Sequence, residues 1–107
     1  MEISFFYITT KDKAEAYRIG RVLVEERIAA CINILDAMQS VFHWEGTIHE
    51  ATEAVLIVKT QHALSDTLIN RIGELHSSTC PCIVELPIIN GSSEYIQWIQ
   101  RETITTS

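Results

Sequence analysis

Apolar positions change period several times along this chain, and each change marks an element. Ser4 to Thr9 is rich in aromatic and β-branched residues and runs into the polar Thr9-Thr10-Lys11-Asp12, the pattern of a strand leading into a helix start. Thr10 is the expected N-cap. From Ala16, the apolar or small residues Ala16, Ile19, Gly20 and Leu23 recur every three or four positions while Glu15, Arg18, Arg21 and Glu25 face away, which predicts an amphipathic helix to about Arg27. Ala30 to Leu35 and Ser40 to Trp44 read as one long strand, interrupted at Asp36-Ala37 by a bulge or bend. Glu45-Gly46 turns the chain back into a return strand, roughly Ile48 to Thr60. Leu64, Leu68, Ile72 and Leu75, with Ile69 beside them, form the stripe of a second helix that ends near His76. Beyond Ser77-Ser78-Thr79, Cys82 to Ile88 reads as a strand with Pro87 near its end, and Gly91-Ser92-Ser93 caps a third helix from Glu94 to about Arg101. Thr103 to Ser107 is a β-branched tail to which no element is assigned.

The order strand, helix, strand, strand, helix, strand is that of the split βαβ, or ferredoxin-like, α+β sandwich, here with an added C-terminal helix. Such a fold places its helices on one face of a mainly antiparallel sheet, so the other face should be polar in a monomer. It is not polar. Phe5 and Tyr7 alternate with Phe6 and Ile8, and Val55 and Ile57 alternate with Leu56 and Val58, so both faces of two strands carry large apolar groups. Self-association is the economical way to cover the second face.

Length and composition narrow the class. The 107 residues predict a single domain spanning 1–107, and 47% apolar with 21% charged residues is an ordinary globular balance. Eight basic residues against fourteen acidic ones give a net charge of -6, and the basic ones are scattered, so no stripe exists to grip a nucleic-acid backbone. No apolar run approaches the roughly 20 residues of a membrane-spanning helix, and the N-terminus lacks a basic stretch followed by an apolar one, so the cytoplasm is the expected compartment. The three cysteines agree with it. Their number is odd, and Cys80 and Cys82, two apart, would place their Cα atoms about 6.7 Å from each other along an extended strand, at the outer limit for a disulfide, so reduced thiols are expected.

Candidate chemistry concentrates in His76-Ser77-Ser78-Thr79-Cys80-Pro81-Cys82, one imidazole and two soft sulfurs within seven residues, a donor set suited to Cu(I) or Zn. A second reading makes His76 a helix-end residue and both cysteines small buried apolar groups. His76 closes the second helix, whose dipole favours a cation there, and binding to thiols would release protons. Cys31, between Ala30 and Ile32, reads as a core residue. A thiol enzyme would need a cysteine paired with a histidine, and no spacing pairs them here. Gly20, Gly46, Gly73 and Gly91 are spread singly, so no phosphate-cradling loop is present. Phe42 with Trp44, and Tyr95 with Trp98, read as packing pairs on a strand and a helix.

Four motifs carry a resemblance: Ala29-Ala30-Cys31-Ile32-Asn33, Ser40-x-Phe42-x-Trp44-x-Gly46, Glu53-x-x-Leu56-x-x-Lys59-Thr60 and Leu86-Pro87-x-x-x-Gly91-x-x-x-Tyr95-x-x-Trp98. Together they resemble the CutA divalent-cation-tolerance family from about Thr9 to Gln100. The resemblance implies a ferredoxin-like homotrimer associated with tolerance to copper and other divalent cations, with no established catalysis and no organic cofactor. The family is in turn similar in architecture to PII-type signalling trimers, so a small-molecule sensor with clefts between subunits is the alternative function. The chain departs from the family pattern after its second helix, where His76 and Pro81 remain but Ser77, Ser78 and Cys82 stand at Pro, Tyr and Glu positions. Ile8 and Leu75 stand where some bacterial members carry proposed copper ligands, and Phe42 stands where Tyr is usual. A metal site is therefore expected at His76 with Cys80 or Cys82, and the exchange of a hard oxygen for the Cys82 sulfur favours Cu(I) or Zn.

Overall fold

A computed structural model describes residues 2–104 of the chain. Strand β1 (Ile3–Thr10) is followed by helix α1 (Lys13–Glu25), the hairpin strands β2 (Cys31–Trp44) and β3 (Thr47–Gln61), a single 3-10 turn (His62–Leu64), helix α2 (Ser65–Leu75), strand β4 (Ile83–Ile88) and helix α3 (Ser93–Glu102). The four strands form one antiparallel sheet in the order β2-β3-β1-β4. This is the ferredoxin-like α+β arrangement the strand and helix order predicts. Positions 105–107 of the expected tail lie outside the described residues.

Strand periodicity splits the side chains cleanly. Phe6 and Ile8 of β1 and Leu56 and Val58 of β3 point to the face covered by α1 and α2, where they are fully buried with Ala16, Ile19, Leu23, Leu68 and Ile72. Gly20 lets α1 approach that layer, because a Cβ there would lie 2.9 Å from Ile32 Cδ1 and 3.0 Å from Leu56 Cδ1. Phe5, Tyr7, Val55 and Ile57 point to the opposite face.

Two local devices extend that opposite face into the long hairpin. Between Leu35, opposite Val55, and Met38, opposite Glu53, β2 advances one residue more than β3, and Ala37 takes φ 56° with its N–H on Asp36 Oδ1 at 2.8 Å. The extra residue inverts the alternation, so Met38, Ser40, Phe42 and Trp44 continue the face of Leu35 and Val41 and His43 do not. At the tip, Glu45 (φ 50°) and Gly46 (φ 83°) both occupy the left-handed region that a two-residue hairpin turn requires. Residues 41–50 are all exposed, and the chain measures 44 × 26 × 23 Å.

Several boundaries differ from the sequence reading. Thr10 is not the N-cap: it is still paired with Ala54 in the ladder and 1% exposed, and its hydroxyl donates to the Asp12 carbonyl at 2.9 Å. Asp12 caps the helix instead, accepting from the Glu15 N–H at 2.8 Å. Helix α1 stops at Glu25 because Arg27 turns the chain with φ 59°. Strand β4 starts at Ile83 rather than Cys82, for Pro81 has no N–H to extend the ladder, although the Cys82 carbonyl still accepts from Thr9 N at 3.2 Å. Nor do all helices share one face. Helix α3 crosses to the opposite face, where Ile96 and Ile99 pack with Ile3 and Ile88 at one end of the sheet.

Candidate functional site

The loop 76–82, between α2 and β4, forms one wall of a cleft of about 760 Å³ whose other wall is the opposite face of the sheet, including Tyr7, Met38 and Phe42. The Tyr7 hydroxyl donates to Met38 Sδ at 3.2 Å and so ties β1 to the bulged part of β2. Phe42 stacks on its cross-strand partner His49 with ring centroids 5.8 Å apart.

His76, Cys80 and Cys82 all line this cleft, as the sequence suggests, yet they do different things. His76 ends α2, its N–H bonded to the Ile72 carbonyl at 2.8 Å. Its ring is engaged at both nitrogens: Nδ1 accepts from Ser78 N at 2.9 Å, which places the proton on Nε2, and Nε2 donates to the Thr9 carbonyl at 2.8 Å. The imidazole thus fastens the loop to β1. Cys80 and Cys82 are free and exposed, contrary to the reading that buries them, and Cys80 is held through its N–H on Ser78 Oγ at 3.1 Å. Among the described residues no three His, Cys, Asp or Glu side chains are grouped as a metal site. The expected donors share a cleft without forming a ligand cluster, and His76 could ligate only by giving up a hydrogen bond. Cys31 is half-buried on β2, opposite Lys59.

The residue that holds this loop, Glu15, looks solvent-facing in the helix pattern and is buried. Its carboxylate accepts from Lys11 N at 3.0 Å and Ser77 N at 2.9 Å, with Arg18 3.7 Å away. Burial alone would push its carboxyl up, but the hydrogen bonds from Ser77 and Lys11, with His76 nearby, outweigh that and hold it below the ordinary carboxylate range. A signal existed in the sequence: Asp12-x-x-Glu15 is the spacing at which an N-cap and a residue one turn later serve the start of a helix.

A second polar cluster lies on the helix-covered face. Glu85 of β4 accepts from Ser4 of β1 and from His62 Nδ1 at 2.6 Å, with the Ser65 hydroxyl 2.8 Å away. Glu85 raises the His62 imidazole above its ordinary value. The carboxyl itself, which burial would push up, is held low by Ser4, His62 and Ser65.

An antiparallel ferredoxin-like sheet with α1 and α2 on one face and α3 on the other, a bulged hairpin arm and a cleft beneath the α2–β4 loop defines an α+β scaffold of the ferredoxin-like class. Residues 4–102 match the family described as CutA1 divalent ion tolerance protein. The chain belongs to that family. The Divalent-cation tolerance protein CutA of Thermus thermophilus is 41% identical over 96 residues, 90% of this chain and 93% of that one. The chloroplastic Protein CutA of Arabidopsis thaliana is 32% identical over 97 residues, 91% of this chain, which spans only 53% of that relative's length. The crystal structure of CutA1 from Oryza sativa superimposes with a TM-score of 0.96 at 30% identity, covering 99% of this chain and 97% of that one.

Proposed function

We propose that this protein serves divalent-cation tolerance as a homotrimer that binds a soft metal ion, Cu(I) or Zn, with Cys80 and Cys82 as donors at the edge of the cleft. The observation that supports it is the pair of free, exposed thiols on a wall that faces an uncovered sheet surface. Thiolates select soft ions, and two of them satisfy a low-coordinate ion such as Cu(I), whereas Zn needs further donors. Among the described residues no third donor is grouped with them, so a neighbouring copy or the released His76 imidazole would complete a larger site. We read the protein as a binder and not an enzyme, because the family it matches is described by ion tolerance and not by a reaction. Free thiols suit a reducing compartment, and we place the protein in the cytoplasm. No described helix is long and apolar enough to cross a membrane.

The cleft volume also supports a second reading, a small-molecule sensor, because about 760 Å³ falls within the range of ligand pockets. Calorimetry with Cu(I) and Zn on the reduced protein and on a Cys80→Ser, Cys82→Ser double variant separates the two. Proton-releasing uptake that the double variant loses is the expected result. Equal affinities in both proteins would overturn the assignment of donors, and absence of uptake would leave the sensor reading.

A further inference from the structure

We propose that Cys80 and Cys82 also form a thiol–disulfide exchange site, oxidised by low-molecular-weight disulfides to an intramolecular bond across Pro81. In the single chain both sulfurs are free and exposed at the edge of the cleft, where a small reagent reaches either. Two residues apart, their Cα atoms can be at most about 7 Å from each other, against a disulfide window of roughly 4.4–6.8 Å. Held in a strand the pair would sit at the far edge of that window, but β4 begins only at Ile83, so no ladder keeps the segment extended.

The local bonds favour movement of one cysteine towards the other. Cys82 is anchored, its carbonyl accepting from Thr9 N at 3.2 Å, whereas Cys80 is tied only to Ser78 Oγ, two residues back in the same loop. Pro81 between them has no N–H, so closing the segment breaks no hydrogen bond there. Cys31 is no competitor. It lies on β2, paired with Lys59 of β3 and three strand spacings from β4, which is about 14 Å across the sheet, and the register sets it a further distance of about 13 Å along it.

The exchange is balanced. One cysteine thiolate attacks the small disulfide, forming a mixed disulfide and expelling one small thiolate; the other then attacks the protein sulfur of that bond and expels the second. The two protein thiols are oxidised as the small disulfide is reduced to two thiols. A bond closed over so short a segment is strained, which makes it readily reducible and the modification reversible. If the reading of these sulfurs as metal donors holds, the bond also withdraws both donors from the cleft.

The test is incubation of the reduced full-length chain with glutathione disulfide, followed by intact mass, thiol titration and peptide mapping. Titratable thiols should fall from three to one, with the bond mapped to Cys80–Cys82 and reversed by reductant. The Cys80→Ser and Cys82→Ser variants should each retain a stable glutathione adduct at the remaining sulfur. A lasting adduct on the wild type, a bond involving Cys31, or three unchanged thiols would overturn the exchange site. Metal titration of the oxidised chain is read separately. Formation of the bond with metal uptake undiminished would leave the exchange site standing and remove the cysteines from the metal reading.

Discussion

Phe6 and Phe5 are neighbours in β1, carry the same side chain and end in different environments. Phe6 is 0% exposed beneath α1 and α2, with Ile8, Leu56 and Val58 around it. Phe5 lies on the face that α3 alone of the helices touches, and on that face Leu35, Phe42, Trp44, Val84 and Leu86 are between 42% and 58% exposed. Composition does not distinguish the two faces, so the chain's own helices decide which is sealed. Apolar groups on both sides of a strand are sealed only where both sides find a layer, and among the described residues α1 and α2 cover one side in full while α3 covers only one end of the other. Covering the five half-exposed large side chains would contribute on the order of 1 kcal/mol each towards association, a gain set against a comparable entropic cost of bringing chains together.

Substitutions on the two faces should therefore separate folding from assembly. The largest effect is expected for Phe6→Ala, which empties a fully buried site and should cost about 3–5 kcal/mol in denaturant unfolding of the chain. Trp44→Ala, at an exposed position beside the hairpin turn, should leave secondary structure unchanged and weaken association, seen as a concentration-dependent mass. Equal losses of chain stability from the two would erase the contrast between the faces.

A smaller effect is expected where the loop of the cleft meets the sealed layer. Glu15→Ala orphans the Lys11 and Ser77 N–H groups and should cost about 1–3 kcal/mol. Because the Glu15 carboxyl titrates below its ordinary value, its contribution is present above the ordinary carboxylate range and is lost as pH falls through the depressed value. Acid unfolding of the wild type should steepen there, and that of Glu15→Gln should not.

Much of the contrast was legible beforehand, because a period of two assigns Phe5 and Phe6 to opposite faces whatever covers them. The bulge at Asp36-Ala37 and the turn at Glu45-Gly46 were legible too, since polar interruptions and glycine report backbone directly. What three-dimensional packing alone supplies was not. Glu15 falls on the polar side of its helix, and only the return of the chain at Ser77 buries it. The sequence offered His76 as a metal donor or a helix-end residue and did not show its ring partners, because Thr9 and Ser78 engage it through backbone groups that carry no sequence signal. The side of the sheet taken by α3 was equally silent, since Ile96 and Ile99 would pack on either.

The smallest effect is expected at the His62–Glu85 contact. His62 titrates above its ordinary value, so its contribution is fully present below the ordinary histidine value and is lost as pH rises through the raised one; Glu85 titrates low, so its contribution is lost as pH falls through its depressed value. The contact is strongest between those limits. Thermal unfolding of the wild type and of His62→Asn should diverge most in mildly acidic buffer and converge on the alkaline side. A constant difference across pH would contradict the ion pair.

The claim that the uncovered face is an interface between copies of this chain is tested most directly by light-scattering mass at micromolar concentration. The account predicts a stable particle of three chains, and a stable monomer at that concentration would contradict it.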